Sequence, residues 1–496
     1  MLYKKSVIAS LVLSLLLSTL GATACDGPTS GVNTNSAPAA NSDSAKAFTA
    51  LLADVSSGVG KVSSNDGAGT PKIVVFEELH TSVAGQFEIA LMLWRLHERY
   101  GLRQIALEGL TTDKSYPDLQ WYRQMGGADS VELRNQIAVG LMRAGEISAV
   151  DLIAMVFPDA VVHAADDPVA YQAKLTEKAQ LAIGTYLYKI ALKSPDKWVR
   201  DMSDELNRDS HRSIEEVQEM LRKIEQRAAS VGANLTEEDR RNMSETTAFF
   251  EAARTRTKTM VDTSVEIGRT SPLVAMNVGA AHTSEIVRLF QNSKAAYGVL
   301  TPLALANGLK AGDLTAEAFE RKGSLMSVSF NGKGLGSLLD GRRKYSPVTD
   351  QKWVQADAQV RFATVGIVRS AGGGGKFPDS ITKDEINSLP DVKVDWTSVR
   401  KESNGDVSFR ASVQGQKGST TIYVRAGMPN GVAALEKHKG QALDKLLLEE
   451  LEEIRKEPGE RKEPPAKGPV TEMITPDVAA AYAKTPEALK KISISG

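Results

Sequence analysis

The chain has one cysteine, few aromatic residues, almost no net charge and no apolar run long enough to cross a bilayer. Each shortage removes a class of protein. A lone Cys25 forms no intramolecular disulfide and cannot build a thiolate metal cage. With 60 basic and 61 acidic side chains, there is no global field to draw in nucleic acid or an anionic membrane surface. Aromatics at 6% leave few platforms for stacking bases. Membrane helices need about 18 consecutive apolar residues, which no stretch supplies. Only six histidines occur, so imidazole chemistry must come from His80, His97, His163, His211, His282 or His438. What remains is a chain of 496 residues, long enough for two or three domains with cores of their own.

The amino terminus reads as an export signal. Lys4 and Lys5 precede an apolar run over 7–20, and the small residues Gly21, Ala22, Thr23 and Ala24 lead to Cys25. This is a basic region, an apolar core and a cleavage site. Two outcomes fit: cleavage after Ala24 to release a soluble exported protein, or cleavage before Cys25 with lipidation of its thiol. The only cysteine stands at the cleavage site, and 25–46 is a Ser/Asn/Pro/Ala/Gly-rich tether of the kind that follows a lipid anchor. Both features favour the lipoprotein, although Ala22 stands where a lipobox usually has leucine. The expected location is the bacterial cell envelope, with the membrane as a partner through the lipid.

The organising stretch is 73–110. An apolar run, Ile73-Val74-Val75-Phe76, breaks into Glu77-Glu78-Leu79-His80. A helical pattern follows, with Phe87, Ala90, Leu91, Trp94 and His97 on one face, and Gly101 ends it. A second run, Ile105-Ala106-Leu107, delivers Glu108-Gly109. The unit is strand, helix, strand, with acid or acid-histidine groups at the strands' carboxyl ends, where parallel α/β sheets bind ligands.

Ahead of it, 56–71 reads as a Gly/Ser-rich connection. Further on, helices are expected over 116–125, 131–142 and 150–156. A third strand delivers His163, with Asp166 and Asp167 behind it as a helix start. Residues 168–270 are helical in pattern, and 235–267 fits one long helix or two. A fourth strand over 273–278 ends in Gly279-Ala280-Ala281-His282, and 297–300 is a fifth.

This alternation predicts an α/β domain over 47–305 with a mostly parallel sheet and a large helical insertion. The character changes after 306. Alternating Val392, Val394, Trp396 and Val407, Phe409, Ala411, Val413 flank Asn404-Gly405, a hairpin signal. A smaller α+β region over 306–430 with an antiparallel sheet is expected. In the 431–496 tail, a charged helix with Leu443, Leu447, Leu451 and Ile454 in register reads as a surface or partner-contacting element rather than core.

His80, His163 and His282 each follow a strand of one sheet, so the fold can bring them to one edge with Glu77, Glu78 and Glu108. Imidazole and carboxylate together suit either a divalent metal or metal-free acid-base work. His97, on an apolar helix face, reads as a buried structural residue, and His211 and His438 read as solvated. Glu285, in a first helical turn, is explained by the helix dipole. The glycines at 372–375 lack the serine or threonine of a phosphate loop.

These groups resemble a family. Acid-x-His after one strand, Glu-Gly after the next and Gly-x-x-His late in the domain are similar to the superfamily of erythromycin esterases, ChaN-type haem-uptake lipoproteins and TraB/TIKI proteins. Glu78 and His80 would fill its first motif, Glu108 the middle glutamate, and Gly279 with His282 the last. Gln86 falls where ChaN-type members carry glutamine, and Arg256 with Met260 resembles an Arg-x-x-x-Met step. The match covers about 72–303 and departs at Glu77, where the family usually has glycine.

The resemblance implies a hydrolase of peptide or ester bonds, with Glu78 or His80 as base or metal ligand and Glu108 orienting the histidine or acting as second base. His282 would be the partner ligand or acid, and Arg256 would hold an anionic group or stabilise an oxyanion. Implied metal ligands are Glu78, His80 and His282, for manganese, cobalt or zinc. The alternatives on the same fold are a haem- or ligand-binding lipoprotein without catalysis and a degenerate structural member.

Overall fold

The computed structural model describes residues 39–78, 82–126, 130–143, 146–172, 196–199, 201, 219–220, 222–223, 225–227, 230, 237–307, 328–329, 351–372, 381–401, 407–415, 418–426, 442–456 and 471–472. The export signal with Cys25, His80, His211, His438, the 404–405 turn and the glycines at 373–375 lie outside them. Two compact units are built from interleaved segments. One comprises Met1–Leu79, Arg95–Tyr116 and Ala160–Asp313, the other His80–Trp94, Pro117–Asp159 and Leu314–Gly496.

The first unit is α/β. Helix α1 (Ala39–Ser56) is followed by strands β1 (Gly60–Asp66) and β2 (Lys72–Glu78). The helix therefore starts inside the segment expected to be tether. Helix α2 (Val83–Tyr100) is divided between the units at 94/95. Strand β3 (Gln104–Thr111) comes next, and after the α3 (Val131–Arg143) and α4 (Ala149–Val156) helices of the second unit comes β4 (Val161–Asp166). The single long helix α5 (Glu237–Ile267), β5 (Leu273–Gly279), α6 (Thr283–Gln291) and β6 (Ala296–Pro302) complete it.

The sheet order is β1-β6-β2-β5-β3-β4. Only the β1–β6 pair is antiparallel, so the sheet is mostly parallel, as its alternation with helices requires. Strand β1 replaces the expected Gly/Ser connection. Its alternating half-exposed pattern belongs to an edge, where polar side chains are tolerated and hydropathy gives no signal.

Register fixes which side chains share a face. Ile73 pairs with Val274 and Val75 with Met276, and all four lie in one buried cluster with Val278, Met260, Val261, Ile286 and Phe290. This face is covered by α5 and α6. Because successive strand residues point to opposite faces, Glu108, level with Val278, shares it, whereas Glu78 and Asn277 belong to the other face. Phe48, Leu52 and Val55 of α1 are fully buried, and Leu52 packs where Gly298 of β6 has no side chain.

The second unit contains α3, α4, a short parallel pair β7 (Val328–Ser329) with β11 (Thr471–Glu472), helix α7 (Gln351–Gly372), a three-stranded sheet and helix α8 (Leu443–Arg455). Strands β8 (Val392–Lys401), β9 (Val407–Gly415) and β10 (Gly418–Ala426) are antiparallel throughout, as the hairpin signal predicts. Ser148 and Asp151 form a capping box on α4, and Gln86 Oε1 accepts a further bond from Ala149 N at 2.7 Å.

Helix α8 corrects the expectation of a surface element. Leu443, Leu446, Leu447, Leu451 and Ile454 are all buried, Arg143 pairs with Glu450, and Arg455 reaches the buried Glu88 at 2.7 Å. Its apolar stripe at helical spacing is core, which a charged opposite face does not preclude. No helix among the described residues is long and apolar enough to cross a membrane.

Candidate functional site

At the carboxyl edge of the sheet, on the face covered by α5 and α6, charged groups converge below the water line. Glu108 ends the apolar part of β3. Gly109 follows at φ 81°, a left-handed conformation that glycine adopts without strain. The turn sends the Gly109 N–H to Asp166 Oδ2 at 2.9 Å. Asp166, the last residue of β4, is fully buried, and its Oδ1 also accepts from the Asp167 N–H.

Arg256 on α5 ties the two acids together. Its Nε donates to Asp166 Oδ1 at 2.9 Å, and its Nη2 lies 2.7 Å from both Asp166 Oδ2 and Glu108 Oε1. Tyr171 places its ring 5.3 Å from the guanidinium carbon, close enough for cation–π attraction. Burial alone would lower the Arg256 pKa, but the Asp166 hydrogen bonds and the charges of Glu108 and Asp166 outweigh it and push it above the ordinary value.

His282 completes the network. The turn Ala280–His282 brings its ring over the end of β5. Nδ1 lies 2.7 Å from Thr257 Oγ1, and Nε2 lies 3.3 Å from Glu108 Oε1. The other oxygen of Glu108 accepts from the Gly279 N–H at 2.5 Å. The glycine of Gly279-x-x-His282 thus supplies a backbone donor to Glu108, and the histidine of the same motif supplies the ring facing it.

The expected residues are therefore divided. Glu108, Arg256 and His282 meet. Glu78 is buried on the opposite face of the sheet, where Asn277 Nδ2 donates to its Oε2. Glu77 accepts from Thr301. His163 sits inside β4 rather than at its end, with Nε2 2.6 Å from Gln104 Oε1 near the start of β3, so it lies back along the strands from the network. Burial holds its pKa below the ordinary imidazole value. His97 is buried, with Nδ1 3.0 Å from Glu98 Oε1, as its place on an apolar helix face predicts. Gln86 belongs to the second unit, where it holds the start of α4.

Two members of the network, Asp166 and Thr257, carried no sequence signal, and Asn277, the partner of Glu78, carried one that was missed. Asp166 reads as a helix start beside Asp167. Asp167 does that work, accepting from the N–H groups of Val169 and Ala170, while Asp166 turns inward. Thr257 is one helical residue among many. Asn277 is the one polar side chain in an apolar strand, a signal that a search for His, Asp and Glu passes over.

Around Glu108 and His282 the donor set does not fit a divalent ion. Both carboxylate oxygens face N–H donors, both imidazole nitrogens have protein partners, and the positive charge at the centre is the guanidinium. Among the described residues, no three His, Cys, Asp or Glu side chains are grouped as a metal site. The fold and the site define an α/β protein with a buried carboxylate–arginine–histidine network at its strand ends. No family model, curated protein or solved structure matches the chain.

Proposed function

We propose that this chain is an exported envelope hydrolase of ester or peptide bonds, anchored through lipidated Cys25, that works by His/Glu chemistry without a metal at Glu108 and His282. The observation that carries this reading is the pairing of Glu108 with His282 at the carboxyl edge of a parallel sheet. A base there needs an imidazole in a fixed orientation and a carboxylate to stabilise the imidazolium it becomes. Glu108 supplies that charge, and Arg256 with Gly279 keeps the carboxylate from turning. His282 takes the proton of a water molecule as the water attacks the acyl carbon and returns it to the leaving group. Arg256, engaged on both acids, positions Glu108 rather than holding a substrate anion. Glu78 lies across the sheet from this pair and has no part in the proton transfer.

A second reading rests on the same geometry. Every oxygen of Glu108 and every nitrogen of His282 already faces a protein group, which suits a degenerate member whose network only holds the sheet edge together. The haem-binding alternative would need Glu108 Oε1, 3.3 Å from His282 Nε2, to give way to the iron.

The test uses the full lipidated chain in detergent, assayed on a panel of aryl esters and short peptides with and without EDTA. His282→Gln is expected to lower turnover by about 10²–10⁴-fold, the usual range for a general base, with thermal unfolding unchanged and no effect of EDTA. Turnover abolished by EDTA and restored by manganese, cobalt or zinc would replace the metal-free reading. Turnover equal in wild type and His282→Gln would sink the assignment. With no turnover on any substrate and no Soret band on haem titration, the degenerate reading stands. Recovery of a Cys25→Ser chain in the soluble fraction, with wild type in the membrane fraction, tests the anchor.

A further inference from the structure

Thr257 lies on α5 one turn after Ala253 and is fully buried. Its Oγ1 is 2.7 Å from the Ala253 carbonyl oxygen and 2.7 Å from His282 Nδ1. The first contact is ordinary for a helical hydroxyl. Ser264 makes the same bond to Met260 O at 2.8 Å, and Thr364 makes it to Val360 O at 2.7 Å. The second contact distinguishes Thr257, because it joins that local bond to the imidazole.

A hydroxyl carries one proton and two acceptor lone pairs, whereas a carbonyl only accepts. Its single proton can serve only one of the two, and in the order that the 2.7 Å helical bond gives it goes to Ala253 O, so that Thr257 presents a lone pair towards the ring. Nδ1 must then carry hydrogen. In the neutral imidazole this leaves Nε2 bare, 3.3 Å from Glu108 Oε1. Two acceptors facing each other is an unfavourable arrangement that a proton arriving on Nε2 turns into a charge-assisted bond.

We infer that Thr257 is a positioning residue that fixes His282 as its Nδ1–H tautomer, making Nε2 the nitrogen through which this site takes up and releases a proton. The hydrogen-bond order runs one way, from His282 Nδ1 to Thr257 to the backbone of α5, so the tautomer is set by the helix rather than by solvent. Free imidazole side chains in water favour the opposite form, which makes the assignment specific to this environment. The inference deepens the Glu108–His282 reading, but its test needs no turnover.

The experiment is nitrogen NMR of the full chain labelled with ¹⁵N-histidine, at a pH high enough to keep every imidazole neutral. Only six histidines contribute, and His282→Gln identifies the resonances of interest. The expected wild-type signature is a protonated, pyrrole-like Nδ1 and a bare, pyridine-like Nε2. Thr257→Val keeps the shape and removes the hydroxyl, and it should lose that signature in favour of Nε2–H or a mixture. Thr257→Ser should restore it. A wild-type spectrum showing Nε2–H would overturn the assignment outright, as would an unchanged signature in Thr257→Val. Should Thr257→Val fail to fold, the wild-type and Thr257→Ser spectra still decide the tautomer. An Nδ1–H signature in a chain without hydrolytic activity would retain this inference and reject only the hydrolase.

Discussion

Replacing Arg256 with methionine removes one cation from between two buried carboxylates, and the structure sets the scale of the damage. The side chain of Asp166 is 0% exposed and that of Glu108 is 8%. The guanidinium binds the first through Nε and Nη2 and the second through Nη2. Breaking a buried pair by removing one partner destabilises by about 3–5 kcal/mol, because the remaining charge is left uncompensated. Here two charges remain, so the upper end is expected, near 5 kcal/mol. Against a typical domain stability of about 5–15 kcal/mol, that is a third of the total or more. For a unit of this size each kcal/mol moves the transition by roughly 2–4 °C.

Urea unfolding followed by near-ultraviolet circular dichroism would measure the loss. Adding Asp166→Asn to Arg256→Met should recover part of it, since one of the two orphaned charges disappears. Arg256→Lys should fall between, because an ammonium is a point charge without the fork that reaches both acids. A loss below about 1 kcal/mol in Arg256→Met would refute the argument, placing the guanidinium within the range of an ordinary surface pair. The same variant bears on the site. Without Arg256, Glu108 loses the guanidinium that holds its Oε1, and the carboxylate is less fixed in front of His282.

Two further outcomes follow from named contacts. A Cβ at Gly69 would lie 2.2 Å from Lys294 O and 2.8 Å from Ala296 N, both backbone atoms beside the β2–β6 pairing, so Gly69→Ala should destabilise by about 1–3 kcal/mol in urea titration, and a neutral result would contradict the packing there. His163 has a lowered pKa in the folded chain, so the unfolded chain binds the proton first. Its contribution is full above the ordinary imidazole range and is lost as pH falls towards the folded value. Unfolding measured at pH 8 and pH 5.5 should therefore show a shallower acid loss in His163→Gln than in wild type, and identical slopes would remove the effect from this residue.

Much of the first unit is readable in the chain because its strands are short β-branched runs between helical periods. The Gly279-x-x-His282 and Glu108-Gly109 groups stand out for the same reason: each interrupts an apolar run at a strand end. What the pattern does not carry is register. Whether Glu77 or Glu78 shares a face with Glu108 depends on how β2 pairs with β5, and a shift of one residue exchanges them. The sequence reading puts Glu78 with Glu108, and the pairing puts them on opposite faces. Asp166 was hidden because an aspartate before a helix has an adequate local explanation in capping, and only the distant Arg256 gives it another. The interleaving of 80–94 and 117–159 with the carboxyl-terminal unit involves contacts hundreds of residues apart, which no local pattern encodes.

The strand order β1-β6-β2-β5-β3-β4 also has a consequence in time. Of the first four strands made, only β3 and β4 are neighbours. The other gaps are filled by β5 and β6, whose residues, 273–302, come more than a hundred positions after β4 ends. Until they arrive, β1 and β2 have no partner in this sheet, and such late, long-range pairing makes for slow folding. A ribosome would therefore release most of this unit as an open chain, its hydrophobic strands still unpaired and open to chaperones or to aggregation. Under the export proposed above, that delay would keep the chain in a transportable state until it is threaded through a translocon.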